Sequence, residues 1–299
     1  MGPASTSGGP QETTAAPPPP EARQPAEDLL DEAVELLGGR TAVLTGAGMS
    51  TDSGIPDYRG DGAPKRSPMT VQQFLAGESF RQRYWAGSYL GWTRFTTAEP
   101  NAGHLALAEL EAAGRVPGVV TQNVDGLHGR AGSRRVVEVH GSVDRVVCLR
   151  CGQLFARSSI ADRIEAANAW FVSGTTAALN PDGDADVGDV SDFAVPDCTV
   201  CGGVLKPEVV FFGEFVPRER FIEAAAIVAN ADALLVAGSS LVVNSGIRLL
   251  EQARRRRLPI VILNLGATKG DRIATVKIDA GTSETLAALR DRLLGPAGA

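Results

Sequence analysis

The residues with the most chemistry in this chain are among its rarer ones. Four cysteines, Cys148, Cys151, Cys198 and Cys201, form two C-x-x-C pairs. Secreted disulfide scaffolds are short and Cys-dense, so paired thiols in a 299-residue chain read instead as a tetrahedral zinc site. Four thiolates leave no open coordination position, which makes such a metal structural rather than catalytic. The 46 residues between Cys151 and Cys198 exceed the roughly 15–20 usual for pairs sharing one zinc. Each pair is nonetheless flanked as zinc knuckles are, by Gly152 and by Gly202-Gly203. A thioredoxin-like redox site is the rival reading, and it needs only one pair. The three histidines are His104, His128 and His140. His140, in Val-Glu-Val-His140-Gly141-Ser142, follows a short apolar run and has the residue type for a general base near neutral pH. A lone His is more often structural. His104 opens a helical segment and reads as packing or capping, and His128 as an anchor for the loop at Asp125.

Glycine-rich and amide-rich segments supply the rest. Thr41 to Thr45 is a short apolar run that continues into Gly46-Ala47-Gly48-Met49-Ser50. Glycines after a buried strand let backbone amides approach a pyrophosphate. A G-x-G-x-x-G dehydrogenase fingerprint would need glycine where Thr51 stands, so that motif is not met. Asp57, Tyr58 and Arg59 follow and suit ribose and phosphate contacts; a surface turn is the bland alternative. Thr121-Gln122-Asn123-Val124-Asp125 puts amides and a carboxylate at a strand's carboxyl end, where ligands bind in open α/β sheets. An Asx-turn that merely ends the strand is the competing reading. Gly238-Ser239-Ser240 and Asn264-Leu265-Gly266 end two further apolar runs with small polar groups. Several such strand ends around one crevice suit a dinucleotide. Lys206 to Glu214 is a short extended apolar segment, either a core strand or an edge open to an incoming peptide. Arg254 to Arg257 is a basic run at a helix end, where it favours the dipole.

These segments need a scaffold. Apolar spacing predicts helices over 27–37, 104–113, 218–230 and 246–256, and buried strands over 41–45, 118–121, 233–237 and 259–265. Alternation of strands and helices implies an α/β fold, a Rossmann-like parallel sheet covered on both faces, with a smaller inserted helical and zinc-binding domain. The expected boundaries are a disordered tail at 1–26 and a sheet domain from 27–61, 101–141 and 209–290. Residues 62–100 are the helical part of the small domain, 142–208 the zinc module and 291–299 a C-terminal tail. The tail at 1–26 holds seven of the 18 prolines and resembles neither a secretory signal nor a presequence, so an intracellular, cytoplasmic setting is expected. The arginine-heavy composition suggests a bacterial source. No apolar run reaches the roughly 18 residues of a membrane span. The net charge of -6 argues against a zinc-ribbon nucleic-acid module, although Asp182, Asp184, Asp186, Asp189 and Asp192 carry five of the negative charges. That cluster reads as a solvated acidic loop. An EF-hand there would need Gly and Glu where Val187 and Phe193 stand.

Together the motifs resemble the sirtuin family of NAD-dependent protein-lysine deacylases. They are GAGMS (46–50), SGIPDYR (53–59), TQNVDGLH (121–128), VHGS (139–142), the C-x-x-C pairs, KPEVVFFGE (206–214), GSSLVV (238–243) and NLG (264–266). RQRYWAGSYLGW (81–92), PNAGHLAL (100–107) and the long linker between the cysteine pairs look like its class II branch, which favours longer or lipoyl-like acyl groups. The resemblance implies transfer of the acyl group of acyl-lysine to ADP-ribose with release of nicotinamide. Protein mono-ADP-ribosyl transfer or a lipoamidase-type deacylation is the alternative. By position it implies that Gly46, Ala47 and Gly48 cradle the pyrophosphate with Ser50, Gly238, Ser239 and Ser240 close by. Asp57, Tyr58 and Arg59 lie on a cofactor loop, and Gln122 meets the nicotinamide ribose. Asn123, Val124 and Asp125 form the nicotinamide pocket. Asn264, Leu265, Gly266 and Thr282 surround the adenosine. His140 is the general base, with Asn123 and Asp125 also catalytic. The implied cofactors are NAD and one structural zinc on Cys148, Cys151, Cys198 and Cys201. The implied partners are acylated lysines of proteins, bound as an added strand between 211–214 and 241–244, with no direct nucleic acid and no membrane.

Overall fold

The computed structural model describes residues 26–57, 68–172 and 187–295. The chain opens with α1 (Glu27–Leu36), enters β1 (Thr41–Thr45), and continues through α2 (Val71–Ala76), α3 (Glu78–Phe95) and α4 (Ala102–Ala112). After β2 (Val119–Thr121), α5 (Leu127–Arg130) and β3 (Val136–Glu138) come β4 (Gly141–Cys148), β5 (Leu154–Ala156), α6 (Arg157–Ala167) and α7 (Ala169–Val172). Then follow β6 (Leu205–Val209), α8 (Arg218–Ala229), β7 (Ala233–Ala237), α9 (Asn244–Arg255), β8 (Ile260–Leu263), β9 (Val276–Ile278) and α10 (Thr282–Leu294).

Among the described residues these strands form two sheets. Six lie in the order β3-β2-β1-β7-β8-β9, and all of their pairings are parallel. β1, β7 and β8 are buried along their whole length, which explains their unbroken apolar sequence. Alternate residues feed opposite faces. Val43 and Leu235 join Leu107 of α4 and Leu286 of α10 in one core, and Leu44 and Val236 join Ile227 of α8 and Leu249 of α9 in the other. Each fully buried aliphatic side chain contributes roughly 1.5–3 kcal/mol. The expected strand at 259–265 is shorter, and β9 completes that edge. The final helix runs through Leu294, past the expected start of a tail at 291.

The second sheet, β5-β4-β6, is antiparallel. Pro207 lies in β6, which is tolerable because β6 is an edge strand. The aromatics of α2 and α3 pack here with the zinc-module segment. Phe74, Trp85, Ile160 and Phe193 share one core, and Phe74 meets Tyr84 and Phe211 edge-on at 5.4 and 5.3 Å. The end of the acidic segment is therefore not wholly solvated, since Val190 and Phe193 are buried. Asp182, Asp184 and Asp186 lie outside the described residues, as do 1–25.

The domains meet where the chain passes from β3 to β4. Gly141 adopts φ +82°, and a Cβ there would stand 1.9 Å from the Glu208 carbonyl oxygen. Val210 N–H donates to the His140 carbonyl at 2.8 Å. Around this joint runs an ion network: Arg145 reaches Glu138 at 2.8 Å and Glu208 at 2.9 Å, and Arg220 also pairs with Glu208. Glu138 and Arg220 belong to the large domain, and Arg145 and Glu208 to the small one.

Candidate active site

The carboxyl ends of β1, β2, β7 and β8 open into one cleft of about 1560 Å³. It is lined by Ala47, Gly48, Ser50, Asp57, Gln122, Asn123, Val124, Asp125 and His140, and by Gly238, Ser239, Ser240, Asn264, Leu265, Gly266 and Thr282. Sequence-predicted positions from seven separate segments thus converge. Gly46 sits just behind the wall. Tyr58 and Arg59 lie outside the described residues.

The glycines at the β1 end serve closeness more than donation. Gly46 N–H donates to the Ala237 carbonyl and Gly48 N–H to the Gly238 carbonyl, at 3.2 and 2.9 Å. A Cβ at Gly46 would lie 2.8 Å from the Ser239 Cβ, and one at Gly238, whose φ is +64°, 2.3 Å from the Met49 nitrogen. The turns after β1 and β7 touch only because neither has side chains there. Ala47 N–H makes no hydrogen bond among the described residues, which leaves it available to an anion in the cleft. Thr282 Oγ1 donates to the Gly48 carbonyl at 3.1 Å and ties α10 to the same turn. At the β8 end, Asn264 Nδ2 donates to the Leu265 carbonyl at 2.6 Å, and Gly266 N–H to Asp279 at 2.9 Å.

The β2 end carries a buried polar pocket. Asp125 accepts from Ser50 Oγ at 2.7 Å and from Leu127 N–H at 2.9 Å, and Asn123 Nδ2 donates to Ser50 Oγ at 3.0 Å. Burial pushes the Asp125 carboxyl above its usual range, against the pull of those two donors.

His140 stands where the chain crosses between domains. Its Nδ1 lies 2.9 Å from the Gln122 carbonyl, which can only accept, so Nδ1 carries the proton. Nε2 is then a lone pair, facing Ser245 Oγ at 2.9 Å. Burial lowers the His140 pKa below its ordinary value, and the bond to the Gln122 carbonyl partly opposes that. Gln122 Oε1 accepts from Ser239 Oγ at 2.7 Å. One polar chain therefore joins the β7 turn, β2 and the imidazole. A half-buried, neutral imidazole with a lone pair at Nε2 can accept a proton at neutral pH.

Two residues here escape sequence reasoning. Ser245 sits in the first turn of α9 with nothing local to mark it, 105 positions from its partner. Lys206 is 5% exposed; its Nζ donates to the Val209 carbonyl at 2.6 Å and pairs with Glu214 at 2.9 Å. Glu214 in turn accepts from Phe211 N–H at 2.7 Å. This brace fixes the turn at 211–214, which faces the 241–245 segment across the cleft. Leu241 there holds a φ of +55°, a strained value for a leucine.

The other histidines lie behind the site. His104 Nδ1 accepts from Asn101 N–H at 3.3 Å in a capping box. His128 Nε2 lies 2.9 Å from Thr45 Oγ1, whose hydroxyl donates to Thr121 Oγ1 at 2.8 Å. Both rings are buried, 4.8 Å apart, and desolvation lowers their pKa values to about 4 for His104 and about 3 for His128.

In the small domain the four Sγ atoms lie within 4.8 Å of one another. Cys148 and Cys201 are 3.5 Å apart and Cys151 and Cys198 3.8 Å. A tetrahedron with Zn–S bonds of about 2.3 Å has S···S edges of about 3.8 Å, so the donor set fits zinc. Gly152 and Gly202 both take positive φ, which the tight knuckle turns require, and their N–H groups return to the Cys148 and Cys198 carbonyls.

The Sir2 family signature matches residues 46–245. The chain is 52% identical over 262 residues to NAD-dependent protein deacetylase 1 of Mycobacterium avium (strain 104), covering 86% of this chain and 93% of that one. It is 52% identical over 270 residues to the protein of the same name in Streptomyces coelicolor, covering 89% and 90%. The solved structure "Sir2-p53 peptide-NAD+" matches with a TM-score of 0.73 at 32% identity, over 88% of this chain and 97% of that one. "Structure of Sir2Tm bound to a propionylated peptide" matches with a TM-score of 0.69 at 31% identity, over 88% and 97%.

Proposed function

The chain belongs to the Sir2 family and is an NAD-dependent protein-lysine deacylase, and on that premise we propose which of its residues do the work. NAD, when bound, supplies a ribosyl carbon that loses nicotinamide and an ADP-ribose that receives the acyl group. Ala47 N–H and the Ser239 and Ser240 turn would hold the pyrophosphate, with Gly46, Gly48 and Gly238 making room. Asn264, Leu265, Gly266 and Thr282 would flank the adenosine, and Asp57, Tyr58 and Arg59 would belong to the loop over the cofactor. Asn123 and Asp125, organised by Ser50, would accept the carboxamide, with Val124 against the ring. Gln122 would hold the nicotinamide ribose. His140 would take a proton from a ribose hydroxyl at Nε2, its orientation fixed by the Gln122 carbonyl.

The acylated lysine would enter between the 211–214 turn and the 241–244 segment, its backbone adding a strand there. Our finer reading places the chain in the class II branch, on residues 81–92, 100–107 and the long linker between the cysteine pairs, and it favours longer acyl groups. Cys148, Cys151, Cys198 and Cys201 would carry one structural zinc. The two relatives named above are bacterial, and no helix among the described residues is long and apolar enough to cross a membrane; a cytoplasmic setting is our reading.

The observation that carries this reading is the neutral His140 imidazole held in a cleft of convergent strand ends. His140→Ala is expected to lower deacylation of an acyl-lysine peptide by at least about 100-fold while NAD affinity, read by calorimetry, stays within a few-fold. Full deacylation by that variant would sink the assignment.

A further inference from the structure

A cation stands at the cleft with no acid paired to it among the described residues. Arg248 lies on α9 three residues beyond Ser245, whose hydroxyl faces His140 Nε2 at 2.9 Å. Residues three apart on a helix are neighbours, and helical side chains lean toward the N-terminus, which here is the cleft. The Arg248 guanidinium carbon sits 3.8 Å from the centroid of the Phe221 ring on α8. Arg248 and Phe221 both line the cleft, together with the 209–216 and 241–245 segments. The arginine therefore spans from α9 to α8 at the wall of the cleft.

Several acids of the neighbouring elements are already engaged. Glu214 pairs with Lys206, Glu208 with Arg145 and Arg220, and Glu251 with Arg254. Arg248 is exposed and has no ion pair among the described residues. Stacking on Phe221 fixes the guanidinium plane and leaves the N–H fork at its edge free for a carboxylate.

Resting on the deacylase reading, we propose that Arg248 is a specificity-determining residue that reads an Asp or Glu side chain flanking the acylated lysine. The acid sits on the peptide rather than on the acyl group, because the arginine is exposed whereas the reacting end lies at the half-buried His140. The preferred substrates are then acyl-lysines in acidic sequence surroundings.

The test is a peptide scan with the full-length enzyme and NAD. Each peptide carries one acyl-lysine and Glu, Gln or Arg at one of three positions on either side. At one position Glu is expected to raise kcat/KM about 2–5-fold over Gln, the size of an exposed ion pair, mainly through KM. Arg lowers it, and the effect shrinks at high salt. In R248Q the Glu/Gln ratio falls to about one; R248K keeps the charge and retains part of the preference. A wild-type scan with no acid preference at any position, or a preference that survives in R248Q, overturns the proposal. So does a preference that follows the charge of the acyl group instead of the flanking residue. If no peptide turned over, the deacylase reading itself would fall, and peptide anisotropy across the same scan would still decide the role of Arg248.

Discussion

At the scale of single residues, His140 and Ser245 form a pair whose chemistry is set by which nitrogen holds the proton. Burial lowers the imidazole pKa, and the Ser245 hydroxyl stands 2.9 Å from Nε2, the atom that titrates. The acid limb of kcat/KM is therefore expected below pH 6.5, the unperturbed value. Ser245→Ala removes the hydroxyl that stands 2.9 Å from Nε2, so the limb should shift in pH with NAD affinity kept. A limb that stays in place would assign Ser245 a packing role. The sequence exposed His140 because it lies beside a recognisable strand end, and Gln122, Asn123 and Asp125 for the same reason. It did not expose Ser245, whose partner lies 105 positions away, or the brace of Lys206 on Val209 and Glu214, which depends on a buried ammonium that no local pattern marks. It also suggested amide donation by Gly46 and Gly48, whereas their N–H groups are held by the β7 turn, so an anion is left with Ala47.

At the scale of elements, the site depends on two strand-end turns that touch. Gly238 needs a positive φ and leaves no space for a Cβ beside Met49. Gly238→Ala is expected to cost several kcal/mol, from left-handed strain of about 1–3 kcal/mol plus the forced separation of the turns. NAD affinity should drop by at least 10-fold, against a smaller loss of affinity for acyl-peptide. Equal loss of both ligands would mean general unfolding instead. The buried strands β1, β7 and β8 were legible because a parallel sheet covered on both faces demands continuous apolar runs. β5 and β9, of three residues each, were not, because so short a run carries no period. β6 was legible in part, because the extended segment expected over 206–214 overlaps it at residues 206–209.

At the scale of the whole molecule, the two-domain α/β plan followed from the alternation of patterns and from the cysteine pairs, while the way the domains are joined did not. The buried pair His104 and His128 makes the stability of the whole chain depend on pH. Both have folded pKa values below the unfolded value of about 6.5, so stability is full above pH 6.5 and falls as the pH drops toward their folded pKa values. At pH 5 each should cost about 2 kcal/mol relative to pH 7.5, and a denaturant midpoint unchanged between those conditions would contradict this. The joint between the domains responds to a different variable. Its four charges, Glu138, Arg145, Glu208 and Arg220, are only partly covered, and ions shorten the reach of their attraction from about 10 Å at 0.1 M to about 3 Å at 1 M. The apolar cores on either side feel no such screening. Brine should therefore loosen the angle between the domains before it touches either fold, making the enzyme's stiffness, unlike its architecture, a property of the solution around it.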